Sequence, residues 1–211
     1  MASLNGPSVQ TSPLIEYAVS AVPAPGQTES GDLHAVIPTQ RGALVAVIDG
    51  SGHGPEAASA ARLALATLEA HPNEGLIPLL RRCHERLRGT RGAVMSLVSL
   101  DGAENTVTWL GVGNIEGVLL RSGSSANPSA ETIFLRPGVV GYRIPPLQAV
   151  ITPVTPGDLL ILTTDGIQAN FVRQFAAEDQ PGRIAEYISS NCSKGHDDGL
   201  VLVARYLGPS E

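Results

Sequence analysis

Five aspartates stand where an apolar run begins or ends. Asp49 closes "ALVAVID" within "VIDGSGHG", and Asp165 closes "LILTTD". Asp197 and Asp198 open "GLVLVARYL" in "KGHDDGLVLV", and Asp32 opens a further stretch in "SGDLHAVIP". Singly, an Asp-Gly at a strand end makes a turn, because aspartate bonds its own backbone and glycine accepts positive φ. Gathered at one edge, the same carboxylates would repel, their pKa values would rise, and their anionic forms would be destabilised. A hard divalent cation, Mg²⁺ or Mn²⁺, relieves that conflict and prefers carboxylate, carbonyl and water oxygens. Gly50, next to Asp49, lets a backbone carbonyl face the same place. No Cys/His spacing supports zinc instead.

Strands must bring these acids together. "LIEYAVSAV" (14–22) alternates and is rich in β-branched residues, so it reads as a strand. "ALVAVID" (43–49) is continuously apolar, as a central strand covered on both faces should be. "PEAASAARLALATLEAH" (55–71) reads as a helix with Pro55 at its first position and alanines and leucines at helical spacing. A second helix is expected over 74–88, with Pro78 tolerable only in its first turn. After Gly92 come "AVMSLVSL", "NTVTWLGV", "GVLLRS", "ETIFLR" and "QAVITPV", separated by turn signals, which predict an antiparallel meander. "GDLLILTTDG" (157–166) reads as a buried strand, "PGRIAEYISSNC" (181–192) as a helix and "GLVLVARYL" (199–207) as the last strand. This order predicts an α+β fold of sheets packed on each other with helices outside. Residues 1–13 are expected to fray and 14–208 to form one domain.

Composition narrows the function class. The chain has 211 residues, 43% hydrophobic and 16% charged, enough for a real core in a single domain. Its net charge of −6, with no basic cluster beyond "RRCHERLRGTR", disfavours a nucleic-acid partner. The first residues lack an export signal's basic and apolar regions, and no apolar run reaches membrane-spanning length. These features predict a cytoplasmic protein with no membrane partner, and the lack of an exposed amphipathic surplus predicts a monomer. Cys83 and Cys192, far apart and in no paired motif, are expected to be buried or free thiols.

"SGD", "DGSGHG", "TTDG" and "HDDG", in that order over about 30–205, resemble the signature of the metal-dependent PPM serine/threonine phosphatases. The likeness is greatest to the compact bacterial SpoIIE-like branch, and "GVGNIEGVLLR" resembles its stressosome feedback phosphatases of the RsbX type. The resemblance implies an α-β-β-α sandwich of two antiparallel sheets with a two-ion Mn²⁺ or Mg²⁺ site in the cleft at one edge. It further implies that Asp49 bridges two metals, that the Gly50 carbonyl binds the first, and that Asp165 and Asp197 bind the second. Asp32 is implied to hold metal-bound water or to ligate the first metal directly. Asp198 takes a position where many relatives have asparagine, and Thr164, Gly166 and His196 are candidates for supporting places around the site.

A two-metal pair implies in-line attack at phosphorus by a hydroxide bridging the ions, so no side-chain nucleophile is needed. Cys83 and Cys192 lack the phosphate-cradling loop of a cysteine-based phosphatase. His53 is the candidate to protonate the leaving oxygen, since an imidazole titrates near neutrality; the alternative is that "GHG" only shapes its loop. Ser51 and Thr164 are expected to make loop hydrogen bonds. Two departures from larger relatives stand out: "PAPGQTESGD" holds no phosphate-gripping arginine, and only about 35 residues separate Gly113 from Gln148, too few for a flap with a third acidic ligand. An open, shallow site follows, with affinity drawn from protein–protein contacts. The RsbX-type resemblance implies phosphorylated STAS-domain proteins of a stressosome or partner-switching pathway as substrates. The alternatives are a catalytically inactive binding module of the same fold and a hydrolase for a small ester such as free phosphoserine.

Overall fold

A computed structural model describes residues 7–209 except 13, 28, 124–129, 134, 170 and 172–174. Eleven strands and three helices are formed among the described residues. The strands are β1 (Gln10–Ser12), β2 (Ile15–Val22), β3 (Asp32–Pro38), β4 (Gly42–Gly50), β5 (Ala93–Asp101), β6 (Thr106–Val112), β7 (Glu116–Leu120), β8 (Ala130–Thr132), β9 (Val150–Pro153), β10 (Leu159–Thr163) and β11 (Gly199–Tyr206). The helices are α1 (Pro55–Ala70), α2 (Leu76–Arg86) and α3 (Pro181–Asn191). One sheet has the order β1-β2-β11-β10-β7-β8 and the other β3-β4-β5-β6-β9. All pairings within both sheets are antiparallel.

The period of two along β4 explains why its sequence is apolar throughout. Val45 and Val47 turn into the core between the sheets, where they meet Val98, Trp109, Leu160, Leu162, Leu200 and Leu202. Leu44, Ala46 and Ile48 turn the other way, into a core closed by Ala60, Ala61, Ala64 and Leu68 of α1 and Leu79, Leu80 and Cys83 of α2. On the opposite face of the molecule Ile161, Val201 and Val203 pack against Ile184, Ala185, Ile188 and Cys192. Each central strand is thus covered on both sides, which gives the four layers of the expected α-β-β-α sandwich. Cys83 and Cys192 are buried free thiols in different layers.

Three expectations change. The strands after Gly92 do not form one meander: β5 and β6 belong to one sheet, β7 and β8 to the other, and β9 returns to pair with β6. The crossing is made at Gly113, whose φ of +113° and whose closeness to Val94 (2.2 Å from where a Cβ would lie) exclude a side chain. Gln10–Ser12, within the segment expected to fray, form β1 and pair with residues 15–17 of β2. The second helix is shorter than 74–88, starting after Gly75 so that Pro78 falls in its first turn, where a missing N–H costs nothing.

Candidate functional site

The two sheets bring their Asp-bearing ends to one edge. Asp32 and Asp49 are direct partners across the β3–β4 ladder, the first residue of one strand opposite the penultimate residue of the other. From the facing sheet, Thr164, the residue just after β10, donates its hydroxyl to Asp32 Oδ2 at 2.7 Å. Its Oγ1 also accepts from the Leu200 amide of β11 at 2.8 Å, so one threonine ties three strand ends together. Asp32, Thr164 and Asp198 are all buried.

Each acid has a different environment. Burial, only partly offset by the Thr164 hydroxyl, pushes Asp32 up from 3.8 to about 7, and the charges of Asp198, Asp165 and Asp197 add to this. Burial likewise pushes Asp49 up to about 8, with Asp32, Asp165, Asp197 and Asp198 all contributing repulsion. The five aspartates singled out by spacing therefore share one electrostatic neighbourhood. Asp165, half-buried, accepts from Asn114 Nδ2 at 2.8 Å, and its backbone carbonyl accepts from Lys194 Nζ. Asp197 Oδ1 accepts from the Asp198 amide at 2.9 Å.

Asp198 does something the sequence did not suggest. Its two oxygens accept from the amides of Ala24 and Gly31, each at 2.7 Å, across more than 160 residues of chain. The carboxylate thereby fixes the loop leading into Asp32, and both oxygens are occupied by the backbone. Gly166 lies so close to the Asp198 carbonyl that a Cβ there would be 1.9 Å from it. Gly50 is equally confined: its amide donates to the Gly31 carbonyl, and a Cβ would meet Ala57 O of α1 at 2.1 Å. Glycine at 50 and small residues along α1 let the helix start beside the strand end that carries Asp49.

The loop between β4 and α1 is outward-facing. His53 is exposed, and Gly52 and Gly54 have φ of +90° and +80°. Ser51 donates its amide to Gly92 O, which ties this loop to the start of β5. His196 is exposed and contacts the Lys194 carbonyl at 3.0 Å. Where larger relatives were expected to carry a flap, residues 137–143 form a tight turn: Val139 bridges to Arg143, Val140 bridges to Ala93, and the Gly141 amide donates to His84 Nδ1 at 2.9 Å.

The carboxylates of Asp32, Asp49, Asp165 and Asp197 and the Gly50 carbonyl make an all-oxygen donor set, which fits hard divalent cations. Among the described residues, no three His, Cys, Asp or Glu side chains are already gathered as a ligand group. Sequence reasoning missed two neighbours of the cluster, Asn114 on the inter-sheet crossing beside Gly113 and Lys194 in the loop before Asp197, and missed Arg91, whose guanidinium lies over Gly52 in the loop after Asp49. The Gly in "GVGN" was a signal for the crossing, but nothing local marks what Asn114 touches.

The comparisons agree with this architecture. The family described as Stage II sporulation protein E (SpoIIE) matches residues 39–207, which include Asp49, Asp165, Asp197 and Asp198 and leave out Asp32. Phosphoserine phosphatase RsbX of Bacillus subtilis (strain 168) is 24% identical over 158 residues, 74% of this chain and 76% of that protein. A solved chain from work on the bacterial stressosome as a modular system adapted to control secondary messenger signalling is 31% identical, with a TM-score of 0.81 over 90% of this chain and 99% of its own. RsbX in complex with magnesium superposes with a TM-score of 0.84 at 18% identity, covering 95% of this chain and 99% of that one. With its two-sheet sandwich, its aspartates at one sheet edge and a match over most of its length, this chain belongs to the SpoIIE family of PPM-type phosphatases.

Proposed function

We propose that this protein is a Mg²⁺- or Mn²⁺-dependent protein serine/threonine phosphatase acting in the cytoplasm on phosphorylated STAS-domain proteins of a stressosome or partner-switching pathway. The observation that carries the reading is the meeting of Asp32 and Asp49 with Asp165 and Asp197 from the facing sheet, in surroundings that push Asp32 to about 7 and Asp49 to about 8. A cluster so costly to ionise has a reason to exist if cations neutralise it. The relatives named for RsbX and for the stressosome support the substrate class.

In this reading Asp49, Asp165, Asp197 and the Gly50 carbonyl would hold a pair of divalent ions, while Asp198 holds the loop. When bound, such ions would supply an activated water and would neutralise charge on the phosphoryl oxygens. Asp32, pinned by Thr164, would orient a water there and accept its proton. His53, on the exposed loop, hands a proton to the leaving serine or threonine oxygen. An open rim suits a phosphosite on a folded protein, and one domain over 14–208 carries the whole reaction.

The test is phosphate release from a phosphorylated STAS-domain protein and from free phosphoserine, each with Mn²⁺, with Asp49→Asn as control. Release from the protein substrate, lost in the variant, is expected. Release chiefly from phosphoserine would assign a small-ester hydrolase, and no release from either would assign a binding module.

A further inference from the structure

The loop that carries His53 is built around a guanidinium. Arg91, the second residue before β5, donates Nε–H to Glu56 Oε2 at 2.5 Å, and Glu56 lies in the first turn of α1. This bond sets the fork's direction. Its Nη1 comes to 2.8 Å of the point a Cβ on residue 52 would occupy, so the guanidinium lies against the backbone of "DGSGHG" at Gly52, whose φ of +90° favours glycine. The backbone holds the same closeness, since Gly92 accepts the Ser51 amide and Ala93 is the ladder partner of Gly50.

Stability alone does not explain the arrangement. Arg91 and Glu56 are 47% and 71% exposed at their side chains, and surface ion pairs of this kind contribute little. Glu56 is already suited to the positive end of α1 without a partner. What the pair achieves is a cation held in one direction against Gly52, two residues along the loop from Gly50. The loop before Asp32, residues 22–31, contains no arginine or lysine.

We infer that Arg91, oriented by Glu56, is the phosphate-gripping residue of this site: its guanidinium, lying over Gly52, binds the phosphoryl oxygens of the substrate from the β5 side. This rests on the phosphatase reading above. Planar guanidinium is matched to a tetrahedral oxyanion through two parallel N–H bonds, and such charge-assisted bonds are the strong ones. Glu56 is a positioning residue, acting only through Arg91.

Inorganic phosphate is the probe. Its binding to the Mn²⁺-loaded protein is measured by calorimetry for the natural chain, Arg91→Ala, Arg91→Lys and Glu56→Gln, with Mn²⁺ binding and melting temperature followed in parallel. Arg91→Ala is expected to weaken phosphate about 10- to 100-fold, with Mn²⁺ affinity and melting temperature unchanged. Arg91→Lys should recover part of the loss and Glu56→Gln should lose a few-fold, because the fork is no longer aimed. With the phosphoprotein, KM should rise more than kcat falls. Equal phosphate affinity in the natural chain and Arg91→Ala would overturn the inference, as would a natural chain that binds Mn²⁺ but no phosphate. Phosphate release by the natural chain judges the phosphatase reading separately, so failure of the Arg91 assignment is distinguishable from failure of that reading.

Discussion

At the scale of single residues, the site is a set of carboxylates with divided labour. Asp49 takes repulsion from four neighbours. Replacing it with asparagine should therefore do two opposite things. Phosphate release should fall by more than the about 100-fold typical of losing a group that merely supports a metal ligand. The metal-free variant should meanwhile melt higher than the natural protein at pH 8, since a buried charge has been removed. A melting temperature lowered by this change would contradict the electrostatic picture. Thr164 is the second residue with a sharp expectation. Thr164→Val leaves Asp32 Oδ2 and the Leu200 amide without their partner, costing about 1–3 kcal/mol and, on activity, about 10- to 100-fold. Thr164→Ser should restore both, as read by denaturant unfolding and phosphate release.

At the scale of elements, Asp198 secures the entry to β3. Asp198→Ala would leave the buried amides of Ala24 and Gly31 unpaired, at about 1–3 kcal/mol each. Asp198→Asn keeps one acceptor oxygen and should fall between the two in chemical unfolding; a variant with alanine as stable as the natural chain would refute this role. The elements also show what a sequence can and cannot convey. β4 and α1 were legible because their patterns are local: a run covered on both faces and alanines at helical spacing. The acidic ends of the strands were legible for the same reason. Which sheet a strand joins was not, because β7 and β8 carry no mark that sends them across at Gly113 while β9 returns to β6. The short, polar β1 gave no periodic signal and forms through its pairing with β2. Asn114 on Asp165, Asp198 on Gly31 and Arg91 over Gly52 are contacts between distant positions, and a single sequence holds no trace of them.

At the scale of the whole molecule, the paired sheets act as a clamp that forces acids together, so stability and metal binding must be linked to pH. Asp32 and Asp49 hold their protons up to about pH 7 and 8 in the folded metal-free protein, against 3.8 for an ordinary aspartate. Between those limits the folded state binds more protons than the unfolded chain. Metal-free stability therefore declines as pH rises from about 4 through 8, and the melting temperature should be higher at pH 6 than at pH 8.5. Saturating Mn²⁺ should reverse that trend, because ions compete with protons for the same oxygens. A metal-free melting temperature that rises over this interval would contradict the shifts.

The central claim is that these aspartates converge to hold divalent ions. Calorimetric titration of the metal-free protein with Mn²⁺ at pH 7, in two buffers of different ionisation heat, tests it most directly. The account predicts two ions bound per chain with release of protons, and loss of that binding in Asp49→Asn. A natural chain that takes up no Mn²⁺, or an Asp49→Asn variant that binds it equally well, would contradict it.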